Sequence, residues 1–267
     1  MYKFLFPFYY MFHTRYKTYF DKISWFIIYF IPISVVGCYF TELDTPLFFL
    51  INLMTILTLF NIYEIGYIQN DVQTIKKESN PTLRLSLEEG IFFNKYYYYI
   101  VAYKVFITLI LIIMLYTINI NYTLELNVFN LVAMLVLLRV VFFMHNVIRN
   151  KFNILTFFGL LSLKYLIPII YVVPSYNIQV FLGILLIFPL VRTLEHSTKL
   201  KYNAVLLQNI IKDHDKFRVK YYLFISIAIL LFYMDYSNIF FILSIYFLLY
   251  RGLILLILKH KIYARDK

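Results

Sequence analysis

Glu64, Asp71 and Glu78 stand seven residues apart, an interval that returns to the same face of a continuous helix. Neighbours in the series would lie about 10.5 Å apart along the axis. That is too far for one metal ion to join two of them directly, but it suits an extended diphosphate framed through bridging ions or water. Asn70, Lys76 and Arg84 in the same stretch add donors for anionic oxygens. Glu64 falls inside the end of an apolar run, where a carboxylate is costly and normally faces protein or water. The structural alternative is a local polar network around Glu64, followed by a solvated loop that Asn80-Pro81 ends.

Other polar groups need positions too. The short link 145–151 carries Arg149 and Lys151, either as an orientation anchor or as ligands for an anion. Arg192, Glu195 and Lys199 follow one another farther on, and the i, i+4 spacing of Glu195 and Lys199 predicts an ion pair. Asp213 and Asp215 flank His214 and read as a turn. Lys104, Arg139 and Lys164 lie in apolar runs. Lys164 is the least able to snorkel and needs a partner, for which Glu64 is the candidate. His145 and His196 border basic links, yet no His/Cys/carboxylate cluster has transition-metal spacing. Nothing resembles a Gly-rich phosphate loop in a chain with six glycines, and no Ser/His/Asp pattern supports a hydrolase.

The elements that must hold these groups are membrane helices. Hydrophobic residues make up 62% of the 267 and charged residues 15%. About eight apolar stretches approach the ~20 residues needed to cross a bilayer. They run 23–40, 46–68, 96–118, 127–144, 154–174, 178–194, 220–235 and 238–258. Alternate links at 41–45, 119–126, 174–177 and 235–237 hold Glu42, Asp44, Glu125 and Asp235 but no Lys or Arg, so all 25 basic residues can sit on the other side. This positive-inside pattern predicts an all-α, polytopic transmembrane bundle with both termini cytoplasmic, in a bacterial-type cytoplasmic membrane. The net charge of +11 is spread beside the helices, which argues for contact with anionic lipid and against nucleic acid.

A single domain spanning 1–267 is expected, with neither linker nor repeat. Cys38 is the sole cysteine, so no internal disulfide forms. The apolar first twenty residues carry Lys3, His13, Arg15 and Lys17 without a small-residue cleavage site, and read as an interfacial segment rather than a signal peptide. Two basic-side loops, 66–95 and 192–220, are long enough for binding or catalysis. The second contains an amphipathic stretch at 202–212, suited to the interface or to covering a cavity.

The pattern Tyr67-xx-Asn70-Asp71-xx-Thr74-xxx-Glu78-x-Asn80-Pro81-xx-Arg84 resembles the first acidic motif of the UbiA-type intramembrane prenyltransferases, Asn-Asp-xx-Asp-xxx-Asp. In that family the motif follows helix two on the cytoplasmic side, and a second acidic motif follows helix six, as the two long loops do here. The resemblance implies Mg2+ held by Asp71, Glu78 and Glu195, with Asn70 orienting the diphosphate. It further implies an isoprenyl diphosphate as substrate and transfer of its prenyl group to an acceptor. Lys76, Arg84, Arg149, Lys151, Arg192 and Lys199 would neutralise phosphate, and Tyr67 would shield an allylic cation with its ring face. Thr74 replaces the family's second carboxylate, Glu78 is longer than the third, and the second Asp-xxx-Asp is missing. These departures also fit a degenerate member that binds such lipids without the usual chemistry.

The competing class is a transporter or a structural subunit of a membrane complex. Pro32, Pro168 and Pro189 could interrupt helices, but they do not recur in matched halves as an inverted repeat would require.

Overall fold

Backbone amides in hydrocarbon must find partners within their own segment, so apolar runs of this length fold as helices. A computed structural model describes residues 2–77, 81–173, 178–232 and 237–259, and within them the chain is all-α. Seven helices are long and apolar enough to cross a membrane. The predicted stretch 220–235 is covered as far as Phe232 by α10 (His214–Phe232). That helix is absent from the seven because its opening turns carry Asp215, Lys216, Arg218 and Lys220. The chain divides into two compact units, the first formed by residues 1–149 and 163–175, the second by 150–162 and 176–267.

In the first unit, α1 (Tyr9–Thr14) is followed by α2 (Tyr19–Phe40), whose start is fixed by a capping box between Thr18 and Asp21. Such reciprocal hydrogen bonds satisfy two otherwise orphaned amides. Helix α3 (Thr45–Thr74) has 30 residues, with Pro46 in its first turn. It is about 45 Å long, well beyond a ~30 Å hydrocarbon core. It therefore does not stop at Gly66, where the first long loop was expected to begin: no helix breaker occurs before Pro81. Its last turn, Asn70–Thr74, widens into a π turn. Next come α4 (Leu87–Lys95), opened by a Ser86/Glu89 capping box, α5 (Tyr97–Asn121) and α6 (Val128–Val147). Gly66 lets α6 approach α3 closely, since a Cβ there would lie 2.4 Å from the Phe142 ring.

Helix α7 (Phe152–Val172) contributes its later part to the first unit and its start to the second. The second unit continues with α8 (Ile178–Ser197), α9 (Val205–Ile210), α10 and α11 (Ser237–Lys259). In α8 a π turn at Leu186–Leu190 surrounds Pro189, which has no N–H to donate. Tyr221 and Tyr222 of α10 donate to the carbonyls of Leu186 (2.6 Å) and Ile187 (3.1 Å) in that turn. The second long loop is thus shorter than expected. Its amphipathic stretch narrows to α9, which exposes Val205, Leu206 and Ile210. Asp213 accepts from the amides of Asp215 and Lys216, so the predicted turn is the cap of α10.

Candidate functional site

The N-terminal segment is buried on one side and exposed at Phe6. Tyr10 and Met11 are fully buried, Tyr10 packed at the end of α3 among Phe4, Ile68, Val72, Phe93 and Tyr97. The physical reason lies in what this segment brings to the two described carboxylates of the heptad series. The Met11 amide donates to Glu64 Oε1 at 2.8 Å, and Lys104 Nζ donates to Glu64 Oε2 at 2.7 Å. Both charged side chains have 0% exposure. Asn61 completes the network, accepting from Lys104 Nζ (3.3 Å) and donating to Thr108 Oγ1 (3.0 Å). Glu64 is therefore partnered by Lys104 of α5 and not by Lys164, as expected from snorkelling alone. Lys104 can reach it because α5 packs along α3.

Asp71 opens the π turn, with only 1% of its side chain exposed. Arg15 grips it as a fork, Nη1 to Oδ2 and Nη2 to Oδ1 (2.9 Å), while Tyr10 Oη donates to Oδ2 at 2.7 Å. Arg84 Nη1 and Asn70 Nδ2 each stand 3.4 Å from Oδ1. Burial, and then the Asp71 charge, push the Tyr10 phenol above its ordinary range, so it stays a donor. Burial alone would lower Arg15, but the Asp71 hydrogen bond and charge more than reverse it. Arg149 reaches the same turn, donating from Nη2 to the Thr74 carbonyl at 3.2 Å.

The aromatic faces are also taken. The Arg15 guanidinium lies 4.1 Å from the Tyr67 ring centroid, on the residue expected to shield a cation of the substrate. The Lys164 ammonium sits 4.6 Å from the Tyr29 ring and 5.3–5.9 Å from Phe60, Tyr63 and Tyr165. Arg139 is anchored on Gln69 Oε1 at 2.8 Å. Lys76 is exposed, and Glu78 lies outside the described residues.

In the second unit, Glu195 is held by Arg218 through Nε and Nη2 (2.9 Å) and by Arg192 Nη1 (2.8 Å). Arg218 Nη1 also donates to Asp215 at 2.8 Å. The spacing predicted Lys199 as the partner; the planar fork of Arg218 from α10 fits the carboxylate better, and Lys199 stands exposed. Lys151, also exposed, borders an apolar groove with Phe152, Leu155, Phe158 and Leu190. His196 stacks on Phe157 at 3.9 Å and lies 2.8 Å from Tyr202 Oη, which donates to Asn153 at 2.6 Å.

Among the described residues, no group of three or more His, Cys, Asp or Glu side chains could hold a metal ion. Asp71 and Glu195 are each held by guanidinium groups, and Glu78, the third carboxylate that the motif implies as a ligand, lies outside the described residues. Sequence reading missed Arg15, Tyr10, Arg218 and the pairing of Lys104. The available signals were an arginine within an otherwise apolar N-terminus and the three-residue step from Asp215 to Arg218.

Compared with protein-family models, curated proteins and solved structures, the chain matches none. Its class rests on the seven apolar helices and on ionised groups sealed among them. This is a polytopic helical membrane protein. In such a protein an intramembrane charge marks either a structural pin or a functional path.

Proposed function

We propose that the protein holds a phosphorylated prenyl lipid, of the isoprenyl diphosphate class, at the basic side of the membrane. Guanidinium groups take the place that magnesium has in the family its motif resembles. One observation carries the reading: Arg15, Arg84 and Arg149 meet on the π turn Asn70–Thr74, where Asp71 is the single carboxylate described. Guanidinium forks also bind phosphate oxygens, and π turns inside helices are frequent at functional sites. Arg84 keeps 32% of its side chain exposed and Lys76 is exposed, so both can turn donors toward a diphosphate. The Asn70-Asp71 pair and the basic loop after the second long helix supply the link to prenyl substrates. No step in this reading passes through a metal ion.

The test is binding and turnover of labelled isoprenyl diphosphates by purified protein, with magnesium or with a chelator. Saturable binding that survives the chelator and weakens roughly tenfold or more in Arg84→Gln is expected, the size of one charge-assisted hydrogen bond. Strict magnesium dependence with diphosphate release, lost in Asp71→Asn and Glu78→Gln, would instead restore the metal-dependent prenyltransferase. Absence of binding by well-folded protein, across chain lengths, would leave a transporter or structural subunit.

A further inference from the structure

The helix pair α10–α11 has a defined antiparallel register. Tyr222 stacks on Phe247 with centroids 5.1 Å apart, and Ser226 donates to Ser244 Oγ at 2.9 Å. One turn toward the start of α10, the same register sets Arg218 across from Arg251. Two guanidinium groups facing each other in a packed helix pair repel, and here the repulsion is only partly answered. Arg218 directs Nε and Nη2 to Glu195 and Nη1 to Asp215, so its fork is fully used. Arg251 is 6% exposed, and its Nε has no hydrogen-bond acceptor among the described residues. It lies within electrostatic reach of Glu195, Arg192 and Arg218. Three guanidinium groups thus surround two carboxylates.

The lipid-facing side of α11 is plain, with Leu249, Leu253 and Leu256 exposed, so Arg251 is on the inward face. Burying a guanidinium with an unmet donor in a membrane helix is expensive unless an anion completes it. Arg251 stands eight residues before the last residue of its helix, and Arg192 five before the last of its own. Arg192 has half of its side chain exposed, which opens the cluster to a ligand. A tetrahedral oxyanion can accept from several guanidinium donors at once.

We propose that Arg251, with Arg192 and Arg218, forms an oxyanion site in the second unit whose ligand is a phosphate monoester, free or carried as a lipid headgroup. The site does not depend on the reading of the first unit. Full-length protein is melted in zwitterionic detergent with increasing inorganic phosphate, and in phosphatidylcholine nanodiscs with or without phosphatidic acid. Wild type should gain melting temperature saturably in at least one arm. Arg251→Met should weaken that response roughly tenfold or more, while its ligand-free melting temperature stays equal or rises, since an apolar residue removes the buried charge. Arg251→Lys should keep part of the response, and Glu89→Gln, at a carboxylate of the first unit outside both sites, all of it. A response in the nanodisc arm alone assigns a lipid headgroup, and in the phosphate arm alone a soluble ester. No response in either arm overturns the proposal, as does a response that survives Arg251→Met.

Discussion

Asp71 in the first unit and Glu195 in the second are both carboxylates clamped by arginine, yet they are completed differently. Asp71 takes its partners from far away in sequence: Arg15 and Tyr10 arrive on the N-terminal segment, 56 and 61 residues distant. Glu195 takes Arg192 from its own helix and Arg218 from α10. Seven residues from Asp71, the other buried acid, Glu64, is closed off by Lys104, Asn61 and a main-chain amide. Each unit also leaves a buried arginine donor without an acceptor among the described residues, Arg139 Nη1 in the first and Arg251 Nε in the second. Fully satisfied networks pin helices together, while partly satisfied ones stay costly.

The sharpest way to break this contrast is Glu64→Gln. It leaves the Lys104 ammonium buried without its counter-charge and should cost about 3–5 kcal/mol. Unfolding of the purified protein in detergent reads the loss. The double variant Glu64→Leu/Lys104→Met should recover most of it, because a buried pair replaced by apolar groups is close to neutral. Failure of the double variant to recover would show that Glu64 serves more than the pair.

Asp71→Asn and Glu195→Gln compare the two clamps directly. Asp71→Asn should cost about 2–3 kcal/mol, since Arg15 loses its charged acceptor and α1 its hold on α3. Faster amide exchange over residues 9–15 should accompany the loss. Glu195→Gln should cost less, about 1–2 kcal/mol, because Arg218 keeps Asp215 and Arg192 is half exposed to water. Equal costs would mean that the local origin of the Glu195 partners does not matter.

The helical class was legible because bilayer thickness imposes one length on every crossing segment; the predicted link at 174–177 and residues 235–236 of the last one lie outside the described residues. The ends of α3 and α8 were not, because both helices run on past the apolar window; Asn70–Thr74 and the residues after Leu190 are polar but carry no helix breaker. Asp71 and Glu195 were recognisable as unusual carboxylates from position alone. Their partners were not, since nothing local says that Arg15 crosses 56 residues to Asp71, or that Lys104 rather than Lys164 faces Glu64. Pairing in a helical bundle is set by rotation and register between helices, which one sequence does not encode visibly. At the turn of α3 that carries the motif, Asp71 is held by Arg15 and approached by Arg84, partners that the motif itself does not specify.

The smallest effect concerns a carboxylate outside the membrane segments, and it shows what an ordinary surface pair does. Glu89 accepts from the Ser86 amide at 2.9 Å and lies 2.7 Å from His13 Nε2. Burial raises its affinity for a proton, but the Ser86 amide and His13 outweigh that and hold it below its ordinary value of 4.5. A carboxylate depressed in the folded state adds stability above its unfolded pKa and loses it as pH falls through the folded one. Glu89 should therefore contribute a constant term above about pH 4.5 that fades at lower pH. With about a quarter of the side chain exposed, the term should stay near 0.5–1 kcal/mol. Glu89→Gln should remove that acid-side slope from the melting curve of full-length protein and leave the Asp71 clamp untouched. A slope that persists in Glu89→Gln would place the acid sensitivity on other carboxylates.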